Sequence, residues 1–85
     1  MSIKLNRDIL VEEVDDGFVL INPLSGQIRV LNATGSLIWS LLADDKSVID
    51  IQNELINTYQ LSEDQVILDV ETFISDLHNR GLLTR

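Results

Sequence analysis

The chain has 85 residues, 45% of them apolar and 24% charged, with 14 acidic against 6 basic side chains and a formal charge of −8. That length holds one core and no second domain, the acidity repels a phosphate backbone and an anionic membrane surface, and the lack of cysteine excludes disulfides and thiolate chemistry. No apolar run approaches the roughly 18 to 20 residues of a membrane span, and the N-terminal MSIKLNRDIL has no signal-peptide core, so one cytoplasmic domain over residues 1–85 is expected.

DILVEEV (8–14) and FVLIN (18–22) are rich in β-branched and aliphatic residues, and Asp15, Asp16 and Gly17 between them supply residue types that tolerate positive φ. This predicts a hairpin. Pro23-Leu24-Ser25-Gly26 predicts a second turn, after which QIRVL (27–31) alternates with Ile28 and Val30 on one face. Asn32 is a favoured N-cap, and Ala33, Leu37, Ile38, Leu41 and Leu42 follow at helical spacing. Ser47 with Asp50 starts a second helix whose stripe is Ile51, Leu55 and Tyr59, ending at Gln60-Leu61. Ser62 with Gln65 forms the next capping box, Glu63 and Asp64 lie at the positive end of the helix dipole, and Arg80 and Gly81 mark the stop. On that third helix Val66, Ile67, Val70, Phe73, Ile74 and Leu77 share one arc, Asp69 and Asp76 flank it, and Leu68 falls on the polar side. The expected fold is α+β, a three-stranded antiparallel sheet followed by three helices.

Catalytic material is sparse. His78 is the sole histidine and reads as a solvated surface residue, and neither an HExxH spacing nor an EF-hand loop is present, so no metal and no cofactor are expected. The pairs Glu12-Glu13, Asp15-Asp16 and Asp44-Asp45 read as solvated edges and turns rather than as general acid and base. Gly35 within ATGS lacks the spacing and the lysine of a phosphate loop and reads as a point of close helix packing. Trp39, on the margin of the first helix's arc, reads as core.

What remains is the third predicted strand. In a meander it has one neighbour and one free edge, to which an extended peptide can add. Five or so backbone bonds at a net ~0.5–1.5 kcal/mol each do not offset the roughly 4–15 kcal/mol cost of association. Two or three apolar anchors, at ~1.5–3 kcal/mol each, are therefore required, and the third helix supplies the other wall of a groove for them.

The hairpin, the run Leu31-Asn32-Ala33-Thr34-Gly35 into Ile38-Trp39, and Asp69-Val70 with Phe73-Ile74, Leu77 and Gly81-Leu82-Leu83 together resemble the PqqD-like family across nearly the whole chain. That family comprises the peptide-recognition elements of ribosomally made, modified peptides. The resemblance implies a winged helix-turn-helix-like fold and a non-catalytic role: binding the leader of a precursor peptide as an added strand between the third strand and third helix, and delivering it to a processing enzyme. It places the peptide against Gln27, Ile28, Arg29, Val30 and Leu31, and against Val66, Asp69, Val70, Phe73 and Asp76. In lasso-peptide pathways the leader offers a tyrosine and a proline as anchors, and a basic leader residue would meet Asp69 or Asp76. The favoured setting is the discrete leader-binding protein of such a pathway, beside a leader peptidase and a cyclase. The stand-alone chaperone for the precursor of pyrroloquinoline quinone, beside a radical enzyme, is the alternative. A winged-helix DNA-binding protein is a weaker rival, since the third helix carries Glu63, Asp64, Asp69, Glu71 and Asp76 against one arginine. An acyl-carrier role lacks the Asp-Ser-Leu attachment triplet.

Overall fold

The computed structural model describes residues 4–15 and 17–84. In chain order the elements are β1 (Lys4–Leu5), β2 (Leu10–Val14), β3 (Gly17–Ile21), β4 (Ile28–Leu31), α1 (Ala33–Ala43), α2 (Val48–Tyr59), α3 (Glu63–Asn79) and β5 (Leu83–Thr84). Strands β2, β3 and β4 form an antiparallel meander in that spatial order. The expected three strands followed by three helices are thus present, with an addition the sequence did not announce. β1 and β5 pair antiparallel, Leu5 opposite Leu83, and close the two ends of the chain on each other. Asn6 reinforces the closure by donating from Nδ2 to the Gly81 carbonyl at 2.9 Å.

The three helix starts are those expected. Asn32 Oδ1 accepts from the Gly35 amide at 2.8 Å, Ser47 Oγ from Asp50 at 3.1 Å and Ser62 Oγ from Gln65 at 3.3 Å. Gln60 ends α2 in the left-handed region at φ 54°, and Gly81 follows α3 at φ 72°, where its missing Cβ removes the strain. The first hairpin is tighter than expected: Gly17 already pairs with Val14 as strand, while Asp16 lies outside the described residues. Gly17 is needed for space, because a Cβ there would collide with Ser36 Oγ and the Leu31 carbonyl.

Helix α1 packs on β3 and β4, α2 packs on α1 and α3, and α3 packs on β5 and reaches β4 through the Arg29–Asp76 pair. Leu20, Ile38, Ile51, Leu55, Val66, Val70 and Leu77 are at most 1% exposed, and Trp39 joins them as expected. Tyr59, the last residue of α2, departs from its expected stripe and is exposed.

Gly35 answers to its expected role. A Cβ at this position would lie 3.0 Å from Phe73 Cε1 and 3.3 Å from Cζ, so the α3 ring rests directly on the first turn of α1. Overpacking of this kind costs about 1–3 kcal/mol, against less than about 1 kcal/mol gained in helix propensity when glycine is replaced. Gly35→Leu is therefore expected to lower the urea midpoint, and pairing it with Phe73→Ala to recover part of the loss. An unchanged midpoint for the single variant removes this account of the glycine.

Candidate functional site

The meander leaves β4 with a partner on one side only among the described residues. Which of its backbone groups face outward follows from the register. The Asn22 amide donates to the Gln27 carbonyl at 2.9 Å, making 22 and 27 a hydrogen-bonded pair. In an antiparallel ladder such pairs alternate, so Arg29 opposite Leu20 and Leu31 opposite Phe18 also turn their N–H and C=O toward β3. Ile28 and Val30 therefore turn theirs away, to the free edge. Of the predicted free edge, only these alternate residues present open backbone groups.

The last rung is modified. Phe18 N–H donates to Ser36 Oγ at 3.0 Å, and the same hydroxyl donates to the Leu31 carbonyl at 3.4 Å, so a buried serine of α1 is inserted between the two strands. This ties the end of β4 to the first turn of α1. Nothing in the residue pattern ATGS distinguished Ser36 from an ordinary helix serine.

Side chains alternate the opposite way from a simple hydrophobicity reading. Leu31 is buried and Arg29 shares its face, directed at α3, whereas Ile28 and Val30 are 60% and 61% exposed. Arg29 is held there by Asp76, its Nε donating to Oδ2 at 3.1 Å. Arg80 Nε donates to the other oxygen at 3.0 Å, so both oxygens of Asp76 are engaged within the chain. Burial pulls the Asp76 pKa upward, but the hydrogen bonds and charge of Arg80, and then of Arg29, outweigh it and hold the carboxyl below its usual range. Arg29 also donates from Nη1 to the Val30 carbonyl at 3.2 Å, which places the guanidinium on the open edge itself.

Between this edge and α3 lie two adjoining clefts that share Arg29, Asp69 and Phe73. One, of about 310 Å³, is floored by Leu31, Gly35 and Ile38. The other, of about 430 Å³, is bounded by Leu68, Thr72 and Asp76. Leu68, 59% exposed, is explained by this second cleft: Leu68, Thr72 and Asp76 form one i, i+4 row and Asp69 and Phe73 the next, and together they make the wall. The lone apolar residue on a polar helix face was the signal. A larger cleft, of about 600 Å³, lies elsewhere, beside Lys4, Arg7, Asp8 and Asp45. It adjoins no open edge of the meander.

Of the residues singled out in the sequence, Arg29, Leu31, Asp69, Phe73 and Asp76 meet at the clefts, and Ile28 and Val30 provide the edge. Gln27 sits at its start, with its carbonyl already bonded to Asn22. Val66 and Val70 do not reach the surface: both are 0% exposed and support α3 from within the core. Asp69 accepts a bond from Gln65 Nε2 at 2.8 Å through one oxygen. His78 is exposed in the last turn of α3, and no group of metal-ligating side chains occurs among the described residues.

Two solved structures resemble this one closely. TbiB1 in complex with the TbiA(beta) leader peptide has a TM-score of 0.89 and 31% identity, covering 94% of this chain and 93% of that one. A lasso peptide synthetase B1 complexed with the leader peptide has a TM-score of 0.92 and 27% identity, covering 100% of both chains. No curated protein matches significantly. The family model described as coenzyme PQQ synthesis protein D (PqqD) matches residues 17–83, which span the whole meander and all three helices. On that match over most of its length, the chain belongs to the PqqD family.

Proposed function

We propose that this protein is a non-catalytic leader-binding component of a lasso-peptide pathway. It takes the leader of a ribosomally made precursor as an extra strand on β4 and delivers it to a leader peptidase or another processing enzyme. The observation that carries the reading is the outward N–H and C=O groups of Ile28 and Val30, standing beside two clefts of about 310 and 430 Å³. The edge gives fewer bonds than a fully open strand, so the affinity must rest on side chains seated in the clefts. Both structural neighbours were solved with a leader peptide, and one of them is a lasso peptide synthetase B1, which favours this pathway. The description of the matching family model, a coenzyme PQQ synthesis protein, supports the quinone alternative. Asp76 is not free to receive a basic leader residue, so Asp69 is the carboxylate left for one.

Proline at an edge position whose N–H faces outward leaves the internal ladder intact. Val30→Pro is therefore expected to melt within a few degrees of the parent and to weaken binding of the cognate leader by about tenfold or more, equivalent to ~1.4 kcal/mol. Calorimetric titration supplies the number; unchanged affinity rules out strand addition at β4. Amide NMR adds a second readout, in which the Ile28 and Val30 signals shift on adding leader more than those of Arg29.

The lowered pKa of Asp76 fixes the sign of an acid effect. A carboxyl titrating lower in the folded state stabilises fully above its unfolded pKa of about 3.9, and the contribution is lost as pH falls through the folded value. The stability difference between wild type and Asp76→Asn is expected to be flat from neutral pH down to about pH 5 and to shrink below about pH 4. Denaturant titrations across that range test it, and a difference that grows in acid contradicts the assignment.

A further inference from the structure

Arg29 occupies the place that an added strand needs. The Val30 carbonyl points out of the sheet edge, and Arg29 Nη1 already donates to it at 3.2 Å. A guest strand brings its own N–H to that oxygen and occupies the outward space in which Nη1 now sits, and so displaces it. The guanidinium cannot leave the groove with it. Its Nε remains on Asp76 Oδ2 at 3.1 Å, and Asp76 is itself fixed by Arg80 at 3.0 Å. A half-buried cation is then left with released donors facing the guest, and such donors are costly without an acceptor. In the unbound chain neither neighbouring carboxylate takes up Nη1. Both oxygens of Asp76 are taken, and Asp69, which lines the same clefts, makes no ion pair with Arg29.

The register says which guest residue comes closest. Arg29 turns its own N–H and C=O to β3, so in an antiparallel guest the residue opposite Arg29 forms a non-hydrogen-bonded pair, the type in which side chains approach most nearly. Its side chain lies on the groove face, beside the guanidinium. The guest residue opposite Leu31, two positions earlier in the guest chain, lies on the same face, over the cleft floored by Leu31, Gly35 and Ile38. Two guanidiniums, Arg29 and Arg80, share the single carboxylate of Asp76, and Asp69 stands on the same clefts, so a guest acid is read by the released donors of Arg29 and not by any net positive field.

We propose that Arg29 is a specificity residue: it selects guests carrying an aspartate or glutamate opposite it, two residues after the apolar anchor that fills the Leu31 cleft. This rests on strand addition to β4. In the unbound chain Arg29 caps the edge; in the complex it exchanges the Val30 carbonyl for the guest carboxylate, so the cap and the reader are one side chain. A guest lacking the acid breaks the capping bond without replacing it.

The test uses random twelve-residue peptides displayed on phage and selected against the full chain, followed by titration of the synthetic binders. Binders whose affinity is lost on Val30→Pro are expected to share the spacing apolar–x–acidic. Replacing that acid by glutamine is expected to weaken binding about tenfold on wild type, the size that a charge-assisted hydrogen bond supports, and far less on Arg29→Gln. Lysine at the same peptide position is expected to restore binding to Arg29→Glu. The peptide half of this cycle needs no protein variant, and Arg29→Lys, checked by thermal melting, keeps the charge if Arg29→Gln folds poorly. Edge-dependent binders that show no acid preference, or that bind Arg29→Gln as tightly as wild type, overturn the role of Arg29 alone. Failure to select any binder sensitive to Val30→Pro overturns strand addition, and the inference with it.

Discussion

Leu31 is the constraint on which the groove depends. It is 3% exposed and is followed at once by the N-cap of α1, so its side chain must enter the core where the strand meets the helix. A strand alternates with period two, and burying one residue assigns every other. Arg29 must then face α3, while Ile28 and Val30 must face solvent. The same parity decides the backbone, because the residues whose side chains enter the protein are here also those that bond to β3. A shift of one residue would bury Val30, expose Leu31 and turn the open carbonyls into paired ones. The serine hydroxyl inserted between Phe18 and Leu31 pins the end of the strand against such a shift.

The second requirement is that α3 come close enough to serve as a wall. Phe73 reaches the first turn of α1 only because position 35 has no side chain. The ring then separates two clefts instead of filling one, and gives a flat apolar surface that both share. Behind it Val66, Val70 and Leu77 are wholly buried, so the wall has a firm base in the core. At its far end the Arg29–Asp76 pair ties α3 to β4, and Arg80 holds Asp76 in place, at the position where the proposed guest would otherwise have to pry the two apart.

Much of this was legible in the residues. The three N-caps, the strand that runs into α1 without a linker, and the stop at Gly81 are local signals, set by side chains that bond to their own backbone, and they stand where expected. Gly35 was legible as a packing contact, though not its partner, since nothing local says which ring comes near. What eluded the pattern was non-local. Leu5 and Leu83 are far apart in sequence, and strands as short as β1 and β5 carry too little periodicity to be recognised. Ile28 and Val30 look like a core-facing pair because apolar alternation normally marks the buried face. The arginine between them faces inward because Leu31 sets the parity of the strand, and Asp76, far along the chain, is there to receive it. Val66 and Val70 were placed on the groove because a helical arc shows which side is apolar, not how deep along that arc the surface begins.

The sheet has two edges, and the physical difference between them explains why only one is suited to a guest. β2 is exposed at every residue. Val11 lies opposite Leu20 on the core side of the sheet, yet it remains 46% exposed, because the helices do not extend over this strand. A peptide added there would gain backbone bonds and no pocket, and such bonds alone fall short of the cost of association. Glu12 and Glu13 add charge to that strand, a common means of keeping an edge from pairing. At β4, α1 packs on the strand and α3 lines the clefts beside it, so the same backbone chemistry is accompanied by apolar floor, aromatic wall and fixed charge. The proposed preference for one edge thus rests on where α3 lies and not on any difference in strand propensity between the two.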